Sequence, residues 1–134
     1  MPWGTATFAP LSNARCRALL ASTSVGVVAL SMRALPMAFP LAFALLDNDV
    51  IVRTATTGSL LPQMSDQIVT LMAFDCPVAS NRPMWAVSVT GRAHVIADPA
   101  LLSHHKVQAL PACSPSDAYL RIPLDIVVGE ERLR

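Results

Sequence analysis

The feature that most limits the possible folds of this chain is the apolar stretch from residue 18 to residue 46. It contains a single charged residue, Arg33. A transmembrane helix needs about 20 consecutive apolar residues, but Pro36 and Pro40 interrupt the stretch, and a proline inside a helix costs about 3 kcal/mol or more. Arg33 also interrupts the proline-free part. We therefore interpret the stretch as two β-strands joined by a turn, and we expect no membrane-spanning segment.

The composition indicates one domain that covers part of its surface with another protein chain. A length of 134 residues fits one domain, which we place at 1–134 with an irregular N-terminal arm over 1–11. Only 14% of the residues are charged and 53% are apolar, whereas soluble domains average roughly 25% charged. A homo-oligomer interface would hide the apolar excess. The net charge of +1 gives no electrostatic basis for binding nucleic acid.

The cysteines and histidines indicate neither a metal site nor a catalytic residue. Cys16, Cys76 and Cys113 lie far apart and form neither a CxxC pair nor a metal-ligand spacing. Their odd count leaves at least one outside any intramolecular disulfide, so a reduced, cytoplasmic setting is the simplest interpretation. Because no nucleophile-elbow motif is present, we assign no catalytic residue.

The hydrophobic pattern predicts a mostly β chain with short helices. A helix over 14–22 begins at Ser12 or Asn13, and a second, over 98–110, begins at the specific signal Asp98-Pro99. Residues 58–65 form a short helix or turn. Because the strands do not alternate with helices, they predict an antiparallel barrel or sandwich. Six strands are expected, at 25–31, 36–46, 50–55, 67–74, 84–97 and 119–128.

A group of hydroxyl side chains follows the strand that ends near Arg53. Arg53 offers charge and bidentate geometry for a phosphate, Gly58 lets the backbone approach a ligand, and hydroxyls come from Thr54, Thr56, Thr57 and Ser59. Alternation in a strand places Arg53 and Thr54 on opposite faces. The segment is either a phosphate pocket or a polar turn, and on the chemistry of the residues alone the polar turn is favoured.

The block WAVSVTGRAHV, residues 85–95, shows regular alternation. Trp85, Val87 and Val89 form an apolar face that predicts core packing, with Trp85 as a core or interface residue. Ser88 lies on the other face, which is small and polar and faces either a ring-shaped ligand or solvent. Gly91 indicates a bulge or a close backbone approach.

The order of these segments resembles the pyridoxamine 5'-phosphate oxidase-like split barrels, in particular the small actinobacterial type. The resemblance extends over residues 12–131. Its most specific parts are the WxVxVxGxA block and the closing block with the sequence RIPLDIVVGE. Further matches are VGVVAL, the segment from Pro36 to Phe43, IVRTATTGS at 51–59, and AFD at 73–75.

The resemblance implies a six-stranded antiparallel split β-barrel that forms an obligate homodimer with FMN at the interface. The implied phosphate-binding residues are Arg53, Thr54, Thr57, Gly58 and Ser59. Pro40, Leu41 and Ala42 are implied to lie near the isoalloxazine ring, with Trp85 and Ser88 on a neighbouring strand. Leu60 stands where the family has a phosphate-binding lysine, and a substitute cation would come from Arg82, Arg121 or the partner chain.

The function implied by the resemblance is that of an FMN-binding oxidoreductase acting on an unknown small substrate. Related barrels bind the deazaflavin F420 or haem-type tetrapyrroles, so F420 and haem are the alternative cofactors. The alternative functions are a non-enzymatic binding protein and a cofactor-free structural dimer. Fold resemblance by itself does not decide among them.

Overall fold

The computed structural model describes residues 7–56, 58, 60–77, 84–112 and 117–133. These residues form nine strands and four short helices. In chain order the elements are β1 Thr7–Pro10, α1 Asn13–Ala21, β2 Val25–Met32, β3 Leu35–Leu46, β4 Asp49–Thr54, α2 Leu60–Met64, β5 Ile68–Asp75, β6 Trp85–Arg92, β7 His94–Val95, α3 Pro99–Leu102, α4 His105–Gln108, β8 Ala118–Pro123 and β9 Ile126–Leu133.

The strands pair in the order β1-β9-β6-β5-β2-β3-β4-β8-β7, and every described pair is antiparallel. The long strand β3 changes partner: residues 35–42 pair with β2, and residues 43–46 pair with β4. Pro36 and Pro40 lie in the first half, where β2 is the only described partner. This is the edge position that a proline tolerates, since it has no N–H to give to a second neighbour. The mostly β, antiparallel prediction is confirmed.

The sheet folds back on itself where β6 approaches β8. A Cβ atom added to Gly91 would lie 2.8 Å from the carbonyl oxygen of Pro123 and 3.6 Å from Ile122 Cγ2. Only a residue without a side chain fits such an approach. The prediction of a close backbone approach at Gly91 is therefore confirmed.

The strand count of six was too low, because the three additional strands arise from long-range pairing. β1, at Thr7–Pro10, pairs with β9 and corrects the prediction of an irregular arm over 1–11. The strand expected over 119–128 is divided near Leu124, whose N–H donates to the Asn48 carbonyl oxygen (2.9 Å). The strand expected over 84–97 ends at Arg92, and β7 then pairs with β8.

The helix starts were predicted well and one helix length was not. Ser12 Oγ accepts a hydrogen bond from Arg15 N–H (3.1 Å) and caps α1, and Asp98 caps α3 ahead of Pro99. The helix expected over 98–110 is two helices, because His104 is extended and its Nδ1 accepts from Lys106 N–H (3.2 Å), starting α4. Of the helices described, none has the length and apolar character needed to cross a bilayer.

Two hydrophobic clusters lie on the two sides of β4, as alternation requires. The main cluster fills the barrel and contains Val50 and Val52, together with Phe43, Leu71, Val87 and Leu120. The second cluster lies between β4 and the α3–α4 segment. It consists of Leu46, Ile51, Ile96, Val107 and Leu110.

The hairpin between β2 and β3 contains a strained two-residue turn. Arg33 and Ala34 both have positive φ, 53° and 65°, a conformation that favours glycine or asparagine. Ala34→Gly is expected to raise the free energy of unfolding by about 0.5–1 kcal/mol, because the left-handed conformation costs an L-residue more than glycine loses in entropy. Chemical denaturation would measure it. Ala38→Gly, within β3, is the matched control and should destabilise the protein.

Candidate functional site

One face of the sheet points away from the main cluster, and we call it the outer face. It is built by alternate residues of β9, β6, β5, β2 and the first half of β3. One row runs across it through the register pairs Val128–Ser88, Ser88–Met72, Met72–Val27 and Val27–Pro40. Apolar side chains are exposed along this face, among them Val25 (61%), Phe74, Ile126 and Val128. Such a continuous apolar surface marks an interaction site.

A cavity of about 320 Å³ lies beside the outer face, between α4 and the second half of β3. We call it the α4 cavity. Val25 and its register partner Ala42 line it, and because Val25 is also exposed on the outer face, the cavity opens there. Its size is at the lower end of the range for small-molecule sites. Other lining residues are Thr23, Ser24, Phe43, Lys106 and Leu110.

Arg53 points toward the second cluster and already has protein partners. Its Nε donates to Asp117 Oδ2 (2.7 Å), and its Nη1 donates to the Leu110 carbonyl oxygen (3.2 Å). The guanidinium carbon lies 5.2 Å from the centre of the Tyr119 ring. The side chains of Arg53 and Asp117 are 14% and 1% exposed. The charge of Arg53 is therefore balanced by a buried carboxylate.

The other predicted phosphate-binding residues are placed as follows. Thr54 is buried on the side of β4 opposite Arg53. Gly58 has a φ of 97°, which only glycine adopts without strain. Leu60 begins α2 and packs against the main cluster. Thr57 and Ser59 lie outside the described residues.

The predicted ring-binding residues separate into three places. Ala42 lines the α4 cavity and precedes Phe43, whose register partner in β4 is Val52. Pro40 and Ser88 lie in one row of the outer face, separated by Val27 and Met72.

Leu41 packs against the main cluster, and so does Trp85, which is buried. The prediction of a core Trp85 is confirmed. Its other side lines a second, polar cavity of about 770 Å³ with Asp75, Glu131 and Arg15. Ala42 packs against the second cluster, toward which Arg53 also points, whereas Trp85 belongs to the main cluster.

The sequence matches a family model described as pyridoxamine 5'-phosphate oxidase over residues 12–131. The chain belongs to the pyridoxamine 5'-phosphate oxidase family. The match covers the same residues as the resemblance inferred from the sequence, so the family and the split-barrel class are confirmed. None of the curated proteins matches this sequence.

Solved structures of the family match over nearly the whole chain. The FAD binding protein from Mycobacterium smegmatis is 25% identical, with a TM-score of 0.78, and the match covers 94% of this chain and 100% of that one. A FAD-binding protein from Mesorhizobium loti is 23% identical (TM-score 0.72; 92% and 97% covered). The FAD and heme binding protein from Mycobacterium smegmatis is 17% identical (TM-score 0.72; 92% and 72% covered). The last two show the shared fold.

Family motifs did not point to Lys106, Asp117 or Tyr119, the residues that surround Arg53 and the α4 cavity. Lys106 is the only lysine of the chain, which is the one signal that could have singled it out. Asp117 carries no local signal, since it lies 64 residues from Arg53. In this family member, the charges near the predicted phosphate site therefore come from segments far along the chain.

The described residues contain no group of three His, Cys, Asp or Glu that could hold a metal ion. Of the two described cysteines, Cys16 is buried and Cys76 is exposed. Burial raises the pKa of the Cys16 thiol, so this group stays protonated and unreactive at neutral pH.

Proposed function

We propose that the protein is a flavin-binding homodimer that serves as an oxidoreductase for a small substrate. The observation that carries the proposal is the outer face, which is apolar, exposed and continuous with the α4 cavity through Val25 and Ala42. Family membership and the 25% identity to a FAD binding protein support it. The finer assignment to FMN comes from the sequence resemblance, and FAD is the cofactor named for two of the similar structures.

The residues present fit the aromatic part of a flavin better than its phosphate. The walls of the α4 cavity are mostly small and apolar, such as Ala42, Ala44 and Phe43, which suits a flat ring system. At the phosphate end, Arg53 is paired with Asp117, and Leu60 brings no charge. A bound flavin would supply the electron transfer. The chain would hold the ring against β3 and keep water from it.

A second copy of this chain is the occupant that we propose for the outer face. The row from Val128 to Pro40 contains no charged side chain, and a homodimer would cover it by a two-fold arrangement in which the same surface is used twice. Burying this surface also accounts for the low charge content of 14%. The dimer would then form the open side of the α4 cavity.

The visible spectrum of the purified protein tests the cofactor. Titration with FMN, FAD, F420 and haem is expected to give a flavin complex with FMN or FAD. Reduction of the bound flavin by a nicotinamide nucleotide, followed by reoxidation by an acceptor, would show an enzyme, whereas binding without turnover would show a storage or sensing protein. If all four compounds fail to bind to a dimer, the protein is a cofactor-free structural dimer.

A further inference from the structure

Among the described residues, one cationic side chain lines the α4 cavity, and it is exposed to solvent. Lys106 is the only lysine in the sequence, and it lines the cavity. Among the described residues its ammonium group makes no ion pair, and the cavity lining contains no carboxylate. An apolar cavity with a single cation is complementary to a ligand that has an apolar body and one anionic group.

Arg53 is not the cation that we expect to pair with a ligand anion, although it lies near the cavity. Leu110 follows Lys106 by four residues, and its carbonyl oxygen accepts from Arg53 Nη1 (3.2 Å). The charge of Arg53 is balanced by Asp117 at 2.7 Å. Arg121, another cation considered from the sequence, lies 3.7 Å from Asp49 and lines a different cavity. Of the cations described around the second cluster, Lys106 is the one free to bind an added anion.

We propose that the α4 cavity binds an aromatic ligand with one anionic group, a phosphate or a carboxylate. Lys106 pairs with the anion, and the apolar walls of the cavity hold the ligand body. The phosphate would belong to the flavin and the carboxylate to a substrate, so this inference rests on the proposed function for the identity of the ligand. In either case, the cation of the site comes from α4.

Two matched pairs of probes test the role of Lys106. FMN and riboflavin differ by the phosphate, and 2-naphthoate and 2-naphthamide differ by the charge. The dissociation constants of all four are measured by fluorescence for the wild type, Lys106→Gln, Lys106→Arg and the control Arg121→Gln, which has the same net charge as Lys106→Gln. Lys106→Gln should weaken binding of the anion about tenfold. It should leave the dissociation constant of the neutral counterpart unchanged. Lys106→Arg should keep most of the affinity.

The outcomes distinguish a flavin phosphate from a substrate carboxylate as the anion. They also distinguish a failure of this inference from a failure of the proposed function. Loss confined to FMN assigns the site to the flavin phosphate, and loss confined to 2-naphthoate assigns it to a substrate carboxylate. If Lys106→Gln and Arg121→Gln behave alike with both anions, or if neither anion binds the wild type, the inference is overturned. If no flavin binds but 2-naphthoate binds through Lys106, the proposed function fails and the inference stands.

Discussion

Met72→Glu is expected to dissociate the proposed homodimer into monomers. Met72 lies in the middle of the outer-face row, between its register partners Val27 and Ser88, and it is 37% exposed in the protomer. In a single chain, a glutamate at this position keeps its hydration. In the proposed dimer it would be buried in an apolar interface, where an unpaired charge costs several kcal/mol. A penalty of about 3 kcal/mol raises the dissociation constant more than 100-fold.

Sedimentation velocity over a range of protein concentrations measures the change. Val95→Glu is the matched control, because Val95 is similarly exposed (49%) but lies on β7, at the far end of the strand order. We expect Val95→Glu to remain a dimer and both variants to keep the circular dichroism of the folded protein. A dimeric Met72→Glu variant together with a monomeric Val95→Glu variant would move the interface to the β7 edge. A monomer that keeps full flavin affinity would show that the partner chain is not needed for the site.

The features that the sequence predicted correctly are those fixed by neighbouring residues. Alternation over 85–92 determines which side chains of β6 enter the core, because successive residues in a strand point to opposite faces. The N-caps at Ser12 and Asp98 depend on one side chain and the next turn of backbone. The turn at Arg33 and Ala34 was also placed correctly, although neither residue favours its positive φ.

The features that were missed depend on contacts between distant segments. β1 exists because Thr7–Pro10 pairs with the last strand of the chain, and no pattern within residues 1–11 indicates this. The helix over 98–110 divides at His104 because the imidazole of this residue caps α4, a role that its residue type does not suggest. Strand count and helix length were therefore the least accurate parts of the prediction.

The candidate site shows the same limit. The resemblance implied that Arg53 binds a phosphate and that Ala42 lies near the isoalloxazine ring, and both assignments stay predictions. The sequence did not indicate that Asp117 would take the charge of Arg53 or that Lys106 would line the cavity. Both facts follow from the packing of α4 and β8 against β4, which local patterns do not encode.

Removing the charge of Arg53 is expected to have the largest effect on stability. Arg53→Met keeps an apolar stem of similar length but removes the guanidinium that lies 2.7 Å from the carboxylate of Asp117, which is 1% exposed. Breaking a buried ion pair in this way costs about 3–5 kcal/mol. Arg121→Met is the control, because that guanidinium is 44% exposed and 3.7 Å from its carboxylate, and an exposed pair contributes at most about 1 kcal/mol. Urea denaturation of the ligand-free protein measures both.

The double variant Arg53→Met/Asp117→Asn separates a structural role of Arg53 from a phosphate-binding role. If Arg53 serves mainly to balance Asp117, neutralising both side chains should recover a large part of the lost stability, because no uncompensated charge remains buried. The same double variant should then bind FMN and riboflavin in the wild-type ratio. If instead Arg53→Met leaves the free protein as stable as the wild type and selectively weakens FMN, Arg53 contacts the phosphate and Asp117 is not its principal partner. The hydrogen bond of 2.7 Å between Arg53 Nε and Asp117 Oδ2 favours the first outcome.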